Sequence, residues 1–367
     1  MATRKTSKGT YNLVRMSFMV FIAGLFIALL SIVLWFSQKV QRSDLETFIL
    51  DGMHVCYEKS DKSCLGNLAR ELATNFSISD ILAVLGKYEA KDKVFLEKCH
   101  TLAHYLGREE YLKTNSISAV FSQGTPICLA GIFHGALEGY FSEKKLDFSE
   151  LKENKLKTII DEVCSGREDF RTEWEYGNCY HGLGHALMFF TENDLLLSLK
   201  LCDAVENFEK RKICYDGALM ENEDSAKGIH PSSYFRQNDS YFPCPILESR
   251  YQERCYTYAL AHRFQGDFQK SVDVCRGIPS RFRLECFNRV GAHTVMTTVD
   301  PKEIASKCGS IPEPDFKTEC IGGAAGSLAT RLGADSNIPL SFCEILDEQY
   351  KNDCYQGVSS GMEQLRR

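Results

Sequence analysis

The residues in this chain best suited to chemistry are histidines spaced four apart. His181 and His185 sit in the stretch Cys179-Tyr180-His181-Gly182-Leu183-Gly184-His185, and His100 and His104 repeat the spacing. His134 and Glu138 form a third pair of the same kind, and Glu221 lies seven residues after Cys214. On a helix, the i,i+4 spacing puts both side chains on one face, which is how helical metal sites are built. The candidate ligands are therefore His100, His104, His134, Glu138, His181, His185 and Glu221. Imidazole with carboxylate suits zinc, iron, copper or manganese. His262 and His293 each lie seven residues after a cysteine, but neither has a histidine four residues away. A competing reading is that repeats copy their residues, so a histidine used once in packing reappears without a site. One residue of offset also turns a helix by about 100°, so the sequence leaves open whether these side chains converge.

The elements that would carry them show a period. From Cys164 onward the cysteines alternate. Cys164, Cys202, Cys244, Cys275, Cys308 and Cys343 are expected late in apolar periodic segments. Cys179, Cys214, Cys255, Cys286, Cys320 and Cys354 open segments rich in small residues. Successive members of the second set are separated by 35, 41, 31, 34 and 34 residues. A period in the thirties marks stacked helical hairpins. The expected bridges clamp one end of each hairpin: 164–179, 202–214, 244–255, 275–286, 308–320 and 343–354. Each closes a short loop and contributes roughly 3 kcal/mol, mostly by restricting the unfolded chain. Cys56 with Cys64 and Cys99 with Cys128 would complete the set.

Glycine recurs three residues after the cysteine, at Gly131, Gly182, Gly217, Gly323 and Gly357. Glycine costs about 1 kcal/mol in a helix interior, so its recurrence points to an inner layer of closely approaching helices. Ser77-Ile78-Ser79-Asp80 reads as a helix-starting capping box. The only long insertion follows Cys214, over Glu221 to Arg236, and long loops on a rigid scaffold often carry function. The β-branched run Val295–Val299 is the main strand-like stretch. Gly357-Val358-Ser359-Ser360-Gly361 matches a nucleophile-elbow pattern in letters only, because no histidine follows it. There is no Cys-x-x-Cys, no His-Glu-x-x-His and no phosphate-binding glycine loop.

Residues 16–36 are 21 residues without a charge, enough for a helix of about 31 Å that spans a bilayer core. Arg4, Lys5, Lys8 and Arg15 precede it, so the expected orientation leaves the N-terminus in the cytoplasm and the rest outside. The net charge is −6; with a basic tail, the remainder is more acidic still, which argues against a nucleic-acid partner. Sixteen cysteines beyond the membrane are expected as disulfides.

The expected fold is all-α: an N-terminal transmembrane helix followed by a disulfide-clamped helical-hairpin repeat domain, either an open solenoid or a closed toroid. Its organisation is a cytoplasmic tail (1–15), a signal-anchor helix (16–36), a juxtamembrane segment (37–55) and a periplasmic or extracellular domain (56–367). The expected function is a membrane-anchored module that binds a metal, a small molecule or a protein. The alternatives are a metal-dependent enzyme with Glu138 or Glu221 as general base, and a purely structural surface protein.

Overall fold

The computed structural model describes residues 44–59, 62–88, 92–125, 127–144, 153–164, 170–224, 231–264, 266–333 and 336–366. The apolar span 16–36 lies outside them. Among the described residues no helix is long and apolar enough to cross a membrane.

The described residues are all-helical, without a strand. A helix over 44–59, α1, belongs to a first compact unit that ends at Ser60. The second unit, Asp61–Arg367, begins with α2 (Lys62–Asn75) and α3 (Ile78–Tyr88). It continues through α4 (Lys93–Thr114), α5 (Ile117–Gln123), α6 (Gly131–Lys144), α7 (Glu153–Cys164), α8 (Glu173–Phe190), α9 (Leu195–Cys202) and α10 (Phe208–Asp224). Next, α11 (Ser249–Arg254) runs through a π turn, Cys255–Ala259, into α12 (Leu260–Arg263). The rest comprises α13 (Phe268–Gly277), α14 (Arg283–Thr297), α15 (Pro301–Gly309), α16 (Pro314–Leu332), α17 (Ile338–Glu344) and α18 (Glu348–Gln364).

The even-numbered helices form an inner series in which each packs on the next, from α2 through α18. The shorter odd-numbered helices from α3 onward lie outside it, except α11, which begins the inner helix that α12 ends. Helix starts in both layers are fixed by short side chains: Asp92, Ser116, Thr172, Asp194, Asp267 and Asp300 each accept a hydrogen bond from a first-turn N–H. Ser77 caps α3 as its sequence suggests, accepting from the Asp80 N–H at 3.2 Å. The inner series turns tightly. The N–H of Glu173, at the head of α8, donates to the carbonyl of Arg366 beyond α18, 3.4 Å away. The chain thus comes round to α8 after five further inner helices.

Every cysteine is oxidised. The six repeat bridges join 164–179, 202–214, 244–255, 275–286, 308–320 and 343–354. Cys99 bonds Cys128, and Cys56 and Cys64 are also disulfide-bonded. Such a set belongs to an oxidising, extracellular type of environment.

The glycines explain how the inner helices come so close. A Cβ on Gly135 of α6 would lie 1.8 Å from the His104 carbonyl oxygen, and one on Gly107 of α4 2.0 Å from that of Ile132. The same reciprocal contact joins α8 to α10 through Gly184 and Gly217, at 2.1 and 1.9 Å from the carbonyls of Cys214 and His181. It joins α14 to α16 through Gly291 and Gly323, both at 1.9 Å. No Cβ fits at such distances, so only glycine permits these crossings.

Three local expectations are revised. Cys244 does not end an apolar helix; it sits in a 3-10 turn, Cys244–Ile246, after turns over 231–243. Pro231 and Pro243 lack the N–H a helix needs, and the Asp239 carboxylate holds the N–H groups of Tyr241 and Phe242 in a turn. The run from Val295 is helical through Thr297, because the α14–α16 contact overrides β propensity. The insertion is shorter than its sequence suggests, since α10 extends to Asp224 and Glu221 is a helix residue. Gly357–Gly361 lies within α18, as expected of a small-residue helix.

Gly323→Ala should lower unfolding stability by about 1–3 kcal/mol, because the inner helices must part to admit the methyl. Gly309→Ala, where a Cβ meets nothing within 4 Å, should change it by less than about 0.5 kcal/mol. Urea titrations of the two variants make the comparison; equal losses would show that the close approach is not what the glycine serves.

Candidate metal centre

The histidine pairs fall on three consecutive inner helices: His100 and His104 on α4, His134 on α6, and His181 and His185 on α8. The reciprocal glycines sit beside them. Gly131 and Gly135 press against the backbone of His100 and His104, and Gly217 against that of His181. Gly182 leaves room for His134, whose Cδ2 lies 3.4 Å from where a Cβ would be. The helix approach and the ring convergence therefore have one local cause.

His104, His134 and His185 lie five, six and six residues after their cysteines, and the difference of one does not keep their rings apart. His100 Nε2 is 3.0 Å from His104 Nε2, and His104 Nε2 is 3.3 Å from His134 Nδ1. On the other side, His181 Nε2 is 3.2 Å from His185 Nε2. The rings of His134 and His185 stack with centroids 4.2 Å apart. Two trios of ligand atoms could each hold a metal ion: His100, His104 and His134, and His134, His181 and His185.

The far side of each ring decides what the near side offers. His104 Nδ1 is 2.6 Å from Glu138 Oε1, and His185 Nδ1 is 2.6 Å from Glu221 Oε2. His100 Nδ1 is 2.9 Å from the carbonyl of Cys128, a residue with left-handed backbone (φ 55°). His181 is hydrogen-bonded to the Ile213 backbone. Carboxylate and carbonyl oxygens only accept, so the Nδ1 atoms of His100, His104 and His185 carry the proton. When these rings are neutral the Nε2 of each then presents a lone pair, and those of His100 and His104 face each other at 3.0 Å. A proton on either ring makes that contact a hydrogen bond.

His134 and His181 are held neutral. Burial, reinforced by His185 and His104, holds His134 well below the ordinary imidazole value. Burial and then His185 push His181 down to about 3. His134 and His185 are each 1% exposed, whereas His100, His104 and His181 are half-buried. His134 Nε2 is buried with no hydrogen-bond partner.

Glu138 and Glu221, expected as ligands, stand behind histidines instead, each on the helix following the histidine it holds. The arrangement is that of carboxylate–histidine–metal triads, in which the acid fixes the ring's tautomer and orientation. His262 and His293 form a separate pair, with centroids 5.7 Å apart. Tyr258 links them to His181, its ring 6.0 Å from His181 and 5.4 Å from His293. Sequence spacing missed Tyr258, because the π turn that rotates it inward leaves no mark in the periodicity. It also missed the buried pair Arg254–Asp216, in which Arg254 Nε donates to Asp216 Oδ1 at 2.7 Å across α11 and α10. Two residues 38 apart give no pattern to read.

No family model matches the chain, and no curated protein or solved structure matches it.

The buried imidazoles set a pH dependence. His134, His181 and His293 all have depressed values in the folded chain. As pH falls through about 6.5 the unfolded chain takes up protons that the folded one refuses, so stability is full above that value and lost below it. Each such group contributes a slope of up to about 1.4 kcal/mol per pH unit. Chelator-treated protein should show a lower urea midpoint at about pH 5.5 than at about pH 7.5; an unchanged or higher midpoint would mean these rings are protonated in the fold.

Proposed function

We propose that this protein is an extracytoplasmic transition-metal-binding module, tethered to a membrane by residues 16–36. The observation that carries the reading is that the ligand atoms of His100, His104 and His134, and those of His134, His181 and His185, gather within 4.8 Å of one another. Around an ion with bonds of about 2.0–2.1 Å, the nitrogens of a tetrahedral site lie about 3.3–3.4 Å apart, close to the 3.0 and 3.3 Å that separate His104 Nε2 from its two neighbours.

An all-imidazole donor set suits zinc or copper better than manganese, which prefers oxygen. The helices are pinned by disulfides at one end and by glycine contacts along their length, so the ligands are held before metal arrives. The inner helices thus serve as a rigid cradle, and the domain's role is to hold or pass on a metal ion outside the cell membrane.

A second reading, a metal-dependent hydrolytic enzyme, has one observation in its favour. Three protein ligands per ion leave a coordination position for water, as in catalytic zinc sites, and His100 and His104 are half-buried rather than sealed. Glu138 and Glu221 are each occupied by a histidine, so neither is free to act as the general base.

The purified soluble domain, equilibrated with zinc or copper and then desalted, should retain metal in elemental analysis. His181→Ala with His185→Ala should lower the content, and chelation should lower the thermal midpoint by several degrees. Metal-free wild-type protein after equilibration with both ions would end the proposal.

A further inference from the structure

The two ligand trios share one residue. We infer that His134 bridges two metal ions as an imidazolate, one ion on each ring nitrogen. The inference rests on the metal-binding reading above and goes beyond it in number, geometry and the charge of the bridge.

The five histidines are too spread for a single ion. Opposite ligands of an octahedral ion with bonds of about 2.1 Å lie about 4.2 Å apart. Here the ligand atoms lie within 4.8 Å of one another only as two separate trios, with His134 in both. His134 Nδ1 is engaged toward α4, 3.3 Å from His104 Nε2. That leaves Nε2 for the second trio, and it is the buried nitrogen with no partner. An unsatisfied polar atom on a side chain 1% exposed costs free energy unless something occupies it. A cation between His134, His181 and His185 would do so.

The two halves are built alike, although the sequence does not repeat in register. Each takes two histidines four apart on one helix. Each backs the second of them with a glutamate on the next inner helix, at 2.6 Å from Nδ1. Each ties the first to a backbone group near a cysteine, at Cys128 or Ile213. Only His134 has neither a carboxylate nor a carbonyl behind it. His104 lies off its Nδ1, and His181 and His185 form the second trio with it.

The balance is simple. Neutral His134 carries one N–H proton. Binding of the second ion replaces that proton, which leaves to bulk water, and the ring becomes an anion shared by two cations. The other four histidines bind as neutral rings, and no electron is transferred. Across such a ring the ions are on the order of 6 Å apart, from two bonds of about 2 Å and the ring itself.

Copper(II) is the probe, because its unpaired electron reports on the neighbouring ion. Wild-type protein should take up two ions per chain, with an exchange-coupled electron paramagnetic resonance spectrum. His181→Ala with His185→Ala, and separately His100→Ala with His104→Ala, should each leave one ion with an isolated, uncoupled signal. His134→Gln, with its fold checked by circular dichroism, should abolish the coupling. If that variant does not fold, the two double variants decide the matter alone. One ion in the wild type, or two uncoupled ions, would overturn the bridge while leaving the metal-binding reading intact; no ion would remove both.

Discussion

Everything in this molecule depends on how closely neighbouring inner helices can approach. Glycine against a carbonyl oxygen sets that distance at α4–α6, α8–α10 and α14–α16, where a Cβ would sit about 2 Å from backbone. The cost of glycine in a helix is real. It is offset because contact along a whole helix replaces contact at one side chain, and because a disulfide fixes each hairpin end and limits the unfolded chain. Helices spaced by ordinary side chains would leave the histidine rings of adjacent helices apart.

The same approach creates an electrostatic problem that the fold resolves in parts. Five imidazoles are packed together, and burial with mutual repulsion keeps His134 and His181 uncharged. Acceptors behind the rings (Glu138, Glu221 and the Cys128 carbonyl) fix which nitrogen holds the proton. What remains is a set of ring nitrogens gathered in two trios that share His134. Further along, charge is handled differently: Asp216 meets Arg254 as a buried hydrogen-bonded pair. Burial alone would lower the Arg254 value, but Asp216 raises it and keeps the guanidinium charged.

A repeat architecture lets these two solutions coexist. Each inner helix touches mainly its neighbours, so α4, α6 and α8 can carry the five clustered histidines while α16 and α18 carry small residues on the same frame. The irregular stretch before α11 lies where the pattern changes. There, Asn222 of α10 donates to the Tyr234 carbonyl and accepts from the Ser232 hydroxyl, which folds residues 231–236 back onto the helix.

The hairpin repeat, the disulfide partners and the shared helix faces of His100 with His104 and of His181 with His185 were legible in the sequence, because cysteine spacing, glycine offsets and i,i+4 histidines are local patterns that a helix turns directly into shared faces. Gly184 and Gly291, and both Gly107 and Gly135 of the α4–α6 crossing, were not, since the partner of each is a carbonyl on another helix. Nor was the division of labour between Glu138, Glu221 and the histidines. Whether a carboxylate points at a ligand position or at the back of a ring depends on the rotation of one helix against the next. That rotation is set by packing over the whole interface, so only the tertiary structure decided it.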